Sequence, residues 1–251
     1  MHYCAYCFSL FLIALIAYGM VRSHVECKCV KNQGVFITYA TPRYELHAQK
    51  LCVTAWQYGF RSGRVFGPGD IDASFYHTNC HILSQQRGAG YWLWKPYVIS
   101  KVLDQLEWGE SLCYCDSLYE FCAVPNITQT TLFMNKPGQA WTRFLVKQFN
   151  KMDALLHFGL TRHYRMDGRQ LWAGCLYLVK DARTVYFIKE WLRKCQDAHL
   201  LTDTPSNVPN HHAYKDHRHD QSILDALAKK HNIYVAESPH FLKNMQHERP
   251  R

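Results

Sequence analysis

Acidic side chains are the scarce class in this chain. Its 251 residues hold 20 Asp and Glu against 29 Lys and Arg, a net charge of +9 with His neutral. A surplus of this sign attracts anionic ligands such as nucleotide diphosphates or acidic glycans. Nucleic acid is excluded as the expected partner, because the Lys and Arg are scattered and no nucleic-acid motif is present. Zinc-ribbon spacing is missing too: Cys27-Lys-Cys29 and Cys113-Tyr-Cys115 are separated by one residue, not two. There is no internal repeat and no low-complexity segment. What is present is a globular composition, 48% hydrophobic and 20% charged. The length fits one α/β domain and leaves no room for a second large one.

Eleven Cys are many for a reducing compartment, and an oxidising one explains them through disulfides. The sequence assigns no pairing. Cys113 and Cys115 fall on one face of an expected strand and read as core rather than as metal ligands. Residues 3–20 are an uncharged apolar run, long for a signal-peptide core and near the lower limit of a membrane span. Residues 1–22 are therefore expected to be a signal anchor or a signal peptide, and 23–33 a short stem. Arg22, Lys28 and Lys31 follow the run, and the positive-inside rule would put them in the cytoplasm. The Cys content and the acceptor sequence Asn126-Ile-Thr128 point to the lumen instead. The expected location is the ER or Golgi membrane facing the lumen, or outside the cell if the segment is cleaved.

Residues 35–40 read as the first core strand, 44–58 as a helix with Leu46, Leu51, Val53 and Trp56 on its apolar positions, and Gly59 as its end. Residues 64–66 read as a second strand, so this β-α-β order predicts a parallel pair. A helical connection is expected over 70–83, and a loop up to Gly90. Pro96 suits the first position of a helix. Ile99, Val102, Leu103 and Leu106 then recur at helical spacing, up to a stop at Gly109. Residues 112–115 are wholly apolar, as in a strand covered on both faces. They end on Asp116, at the edge where ligands bind in open α/β sheets. Later expectations are a helix over 144–158, a strand over 171–179 with Gly174 inside it, a helix over 182–195, a surface loop over 200–215, a helix over 220–231, a strand over 233–236, and a frayed basic tail over 241–251.

Two stretches carry a family resemblance. Gly90-Tyr-Trp-Leu-Trp-Lys-Pro-Tyr97 with Tyr114-Cys-Asp-Ser117, and His217-Arg-His-Asp-Gln-Ser222, resemble nucleotide-diphospho-sugar glycosyltransferases of the GT-A type. The resemblance spans residues 35–230. It implies a single GT-A-like domain over 34–240, with a mainly parallel central sheet flanked by helices. It also implies a nucleotide-sugar donor, a glycan, protein or lipid acceptor, and a divalent cation (Mn²⁺ or Mg²⁺) that neutralises the leaving diphosphate.

The resemblance implies roles residue by residue. Asp116 holds the place of the first Asp of the family's Asp-x-Asp motif, but the second place is Leu118. Asp116 and His219 are then the metal ligands, Ser117 orients a metal-bound water, and Glu120 reaches the site if the chain turns sharply. Lys95, Asp116, Ser117, Ala173, Gly174, His217 and His219 contact the donor. Asp220 and Gln221 are catalytic, Asp220 as a base or as a stabilising carboxylate. Asp220 also reads as an ordinary helix cap. Tyr91, Trp92 and Trp94 read as core packing or as a stacking surface. Two rivals remain beside this reading: a non-catalytic domain of the same type that binds a glycan or a partner protein, and a metal-dependent hydrolase built on Asp116 and the His cluster.

Expression in a eukaryotic secretory system should attach a glycan to Asn126. Glycosidase treatment should then increase gel mobility. Unchanged mobility together with a cytosolic fraction would count against a lumenal protein.

Overall fold

The computed structural model describes residues 34–125, 133–134, 145–162, 166–233, 235–236 and 241–244. The described residues fall in one unit beginning at Asn32. The expected N-terminal segment, Asn126 and residues 245–251 lie outside the described residues. Among the described residues no helix is long and apolar enough to cross a membrane.

The architecture is mixed α/β, with a four-stranded, mostly parallel sheet between helices. β1 (Val35–Tyr39) pairs in parallel with β2 (Ser62–Phe66) on one side and with β3 (Ser111–Cys115) on the other. β6 (Cys175–Val179) pairs antiparallel with β3, so the order is β2-β1-β3-β6. Two small ribbons lie outside this sheet. β4 (Tyr119–Phe121) pairs with β8 (Leu242–Asn244), and β5 (Phe133–Met134) with β7 (Val235–Ala236). The expected tail thus begins with a paired strand, and the expected last strand is a two-residue pairing outside the central sheet.

Alternation along the strands sorts the core into two layers, as a period of two requires. Phe36, Cys113, Cys115, Cys175 and Tyr177 face α1 (Glu45–Gln57) and the β4–β8 ribbon. Ile37, Tyr39, Leu112, Tyr114, Leu176 and Leu178 face the other way. There they join α2 (Trp94–Gln105), α3 (Ala182–Cys195) and α4 (His219–Lys230) in the larger cluster. The buried face of α1 is Ala48, Leu51 and Ala55; Leu46, Val53 and Trp56 are exposed, Trp56 by 70%. Small residues bring the helix backbone close to the sheet, so the bulky positions turn outward. α3 is capped and amphipathic: Asp181 accepts from the Thr184 N–H as its cap, and Phe187, Ile188 and Trp191 are buried.

Several expected elements are shorter or broken. α2 ends at Gln105, with Gly109 four residues further on in a turn, and Pro96 is its third residue rather than its first. The expected helix over 144–158 is two, Val146–Phe149 and Met152–Phe158, interrupted where Asn150 and Lys151 turn inward. Residues 171–174 form a turn before β6 instead of belonging to it.

The loop expected before α2 is a left-handed turn. Gly88, Ala89, Gly90, Tyr91 and Trp92 all have positive φ, between 49° and 95°. Each non-Gly residue held there costs roughly 1–2 kcal/mol, so three of the five are strained. This turn delivers the chain to α2 with Trp94 stacked on Tyr39, ring centroids 3.8 Å apart, and the Trp94 indole N–H donating to the Gly88 carbonyl. Strain of this kind persists only where surrounding structure holds it.

Gly90→Ala should destabilise the chain by more than ~1 kcal/mol, because the left-handed backbone penalises a Cβ and that Cβ would lie 2.7 Å from the Leu83 Cα. Ala89→Gly should be neutral or stabilising. Denaturant unfolding of both variants tests this; equal stability of the two would remove the turn's claim to strain.

Candidate functional site

Lys95 is the centre of the site. It sits in the first turn of α2, and its side chain runs beneath the carboxyl edge of the sheet with only 3% exposure. Its Nζ lies 3.2 Å from Asp116 Oδ1 and 3.1 Å from Asp220 Oδ2, and it donates to the Ala173 carbonyl at 3.3 Å. Asp116 follows β3 directly. Its N–H donates to the Gly174 carbonyl, and its Oδ1 accepts from the Tyr114 hydroxyl at 2.7 Å. Asp220 is the second residue of α4, placed after Arg218 and not as its cap. The Trp191 indole N–H holds the Asp220 carbonyl at 3.0 Å, which ties the start of α4 to α3. The two carboxylates that the sequence placed in separate motifs therefore share one ammonium.

Two carboxylates and one ammonium leave a net negative charge, and burial decides where a proton goes. Asp116 is partly open to solvent, whereas Asp220 is closed off at 4% exposure. Burial pushes the Asp220 carboxyl up to about 6; Lys95 opposes this and Asp116 adds to it. Burial alone would lower the Lys95 ammonium, but Asp116 and Asp220 more than offset it, so its pKa is raised and it stays charged.

Two clefts meet at Asp116 and Trp92. The larger, about 580 Å³, lies at the end of β1 and is lined by Tyr39, Arg43, Tyr44, Trp94, Ser117 and Trp172 among others. The smaller, about 250 Å³, is lined by Arg87, Lys95, Asp116, His219, Asp220 and Gln221 among others. The exposed Arg87 guanidinium bridges Asp203 and Asp216 at 3.2 and 3.1 Å.

The other expected site residues divide by what their polar atoms do. His217 is buried with both ring nitrogens engaged: Nε2–H donates to the Leu200 carbonyl, and Nδ1 accepts from the Lys151 N–H. Burial holds it well below its ordinary pKa, so it is a neutral pin for the 200–217 segment, without a free nitrogen for a donor. His219 differs. Its Nδ1–H donates to the Leu201 carbonyl at 2.8 Å, and its buried Nε2 has no hydrogen-bond partner, the nearest carboxylate being Asp203 at 3.9 Å. The ring lies against Tyr91 and Trp92. Gln221 accepts from the Ala173 N–H and donates to Gln170, so its amide positions the 170–174 turn. Asp225 accepts from the Leu171 N–H in the same turn. Gly174 is needed for close approach, and what approaches is the Trp172 indole rather than a donor. Ser117 lines the larger cleft; Glu120 points away and pairs with Lys243 at 3.5 Å.

These residues do not fit a divalent cation. Lys95 already stands between the two carboxylates, Leu118 offers no side-chain oxygen, and the Ala173 and Gly174 carbonyls already accept hydrogen bonds. Among the described residues, Asp116 and His219 belong to no group of three ligating side chains close enough to share an ion. The sequence pattern did not signal two parts of the site: the left-handed turn and the burial of Asp220. It also gave no sign of Lys151, a buried cation that lines neither cleft and donates to the Thr202 and Thr204 carbonyls. Only the pair Gly88 and Gly90 hinted at the turn. No protein-family model matches the chain, and no curated protein matches it.

The raised Asp220 carboxyl has a sign that unfolding can read. Above about pH 6 the native state holds a buried charge that the unfolded chain solvates freely, so native Asp220 costs stability there and the cost shrinks as pH falls. Asp220→Asn removes this dependence. Its stability relative to the wild type should be greater at pH 7 than at pH 5 by about 1 kcal/mol, read from denaturant unfolding at both values. Parallel pH profiles would show that Asp220 is not raised.

Proposed function

We propose that the chain is a GT-A-type glycosyltransferase, which moves a sugar from a nucleotide-diphosphate sugar to a hydroxyl acceptor. The observation that carries this is the buried Lys95 ammonium between Asp116 and Asp220, at the carboxyl edge of a mostly parallel sheet where two clefts meet. Ligands of open α/β sheets bind at that edge. In this reading the nucleotide lies in the larger cleft, against its aromatic and Arg-bearing wall, and the sugar lies in the smaller one above Asp220. The acceptor oxygen bonds to the anomeric carbon as the bond from that carbon to the diphosphate breaks. The electron pair leaves with the diphosphate oxygen. As Asp220 gains the acceptor proton the cluster goes from a net negative charge to neutral, and the Lys95 ammonium that Asp220 had offset faces the charge developing on the diphosphate. Asp220, with its pKa near neutral, takes the acceptor proton.

A fixed ammonium in place of a metal separates this reading from the metal-dependent hydrolase. Transfer from a panel of nucleotide sugars should survive a chelator of divalent cations. Lys95→Met and Asp116→Asn should each lower turnover at least ~100-fold, the loss typical of one preorganised electrostatic group. Lys95→Met leaves buried carboxylate without its cation. The double variant with Asp220→Asn relieves that and keeps a folded protein, confirmed by its melting temperature; its turnover is compared with that of Asp220→Asn alone, which already lacks the base. Full turnover in folded Lys95→Met would sink the mechanism, and loss of transfer on chelation with rescue by Mn²⁺ would return the metal. Nucleotide binding without transfer from any donor would favour the non-catalytic domain.

A further inference from the structure

Behind the site, on the opposite face of the sheet, three thiols converge. The Sγ atoms of Cys113, Cys115 and Cys175 all lie within 4.8 Å of one another, and all three residues are fully buried. Cys115 closes β3 and Cys175 opens β6, and the two stand directly opposite in the antiparallel register. The next pair outward, Asp116 with Gly174, is joined by an N–H to carbonyl bond. Pairs alternate along an antiparallel ladder, so Cys115 and Cys175 form a non-hydrogen-bonded pair. Such pairs bring Cα atoms to about 4.5 Å and side chains closest together, within the range a disulfide spans. Their sulfurs are 3.0 Å apart. Cys113 lies two residues back on the same face and opposite Tyr177, so it meets Cys175 only diagonally.

The surroundings choose between the chemistries open to three sulfurs. The pocket is apolar and aromatic, walled by Phe36, Tyr119, Trp172 and Tyr177. A soft metal ion there would require three thiolates, and no fourth ligand accompanies them among the described residues. Several charges in a dry pocket are costly. A disulfide is neutral and needs only two of the three. Burial holds the Cys115 and Cys175 thiols far above their ordinary pKa, so in the closed, reduced state they are poor nucleophiles.

We propose that Cys115 and Cys175 form a disulfide as β3 and β6 pair, with Cys113 left as a thiol. The oxidant is a small-molecule or protein disulfide, such as glutathione disulfide. One cysteine thiolate attacks it, forming a mixed disulfide and expelling one thiol. The second cysteine thiolate then attacks the protein sulfur of that mixed disulfide and expels the other thiol. Two protons and two electrons leave the cysteines, and the oxidant ends as two thiols. The bond closes a loop whose ends are 60 residues apart. It fastens the strand ends that carry Asp116 and Gly174, and it does not depend on the sugar-transfer reading.

The test folds the full chain in a glutathione redox buffer, then unfolds it in an alkylating reagent and maps the digested peptides by mass. A link between Cys115 and Cys175 with Cys113 alkylated is expected, and fragmentation on either side of Tyr114 tells the two neighbours apart in the wild type. The link should persist in Cys113→Ser and vanish in Cys115→Ser and Cys175→Ser. Reduction should lower the melting temperature of the wild type by at least ~5 °C, a shift in keeping with loss of a long closed loop. It should not shift Cys175→Ser. A link through Cys113, three alkylated thiols after oxidative folding, or a metal ion that copurifies and shields the thiols until chelated would each overturn the proposal.

Discussion

One ammonium holds the carboxyl edge of the central sheet together. Lys95 reaches from α2 to Asp116 after β3, to Asp220 in α4 and to the Ala173 carbonyl before β6. α2, the end of β3, the start of α4 and the segment before β6 thereby meet at a single buried cation. Removing one partner of such a cluster costs more than its presence gains, because the remaining charge stays buried without compensation. The strained turn before α2 and the Trp191 bond to the Asp220 carbonyl are the supports that keep Lys95 and Asp220 in reach of each other.

The parts legible in the sequence are those governed by local pattern. β1, β3 and α3 follow from apolar runs or helical spacing, and Asp116 falls at the carboxyl edge of the sheet because it follows a buried strand. The inward face of α1 is not readable from hydropathy, which marks Leu46, Val53 and Trp56 along with Leu51, whereas close helix-to-sheet contact selects Ala48 and Ala55 beside Leu51. Strand direction is not a local property, so the reversal of β6 left no trace in the residues of 171–179.

The site was legible as a set of residues and not as a set of roles. His217 and His219 look equivalent in sequence, but one has both nitrogens taken by backbone and the other has a bare Nε2. Gln221 is adjacent to Asp220 yet serves the 170–174 turn. The partnership of Lys95 with two acids has no sequence signature, since it joins positions far apart in the chain.

The bond between Asp116 and Gly174 has one more consequence. The chain leaves the sheet and comes back to it at a single point, so the intervening stretch is an excursion with touching ends. The entropy of closing such an excursion grows only slowly with its length. Residues can be gained or lost within it at little cost to the strands. Ser117, Tyr119 and Trp172, at the two ends of this excursion, line the larger cleft, so a change of length between them leaves that lining in place.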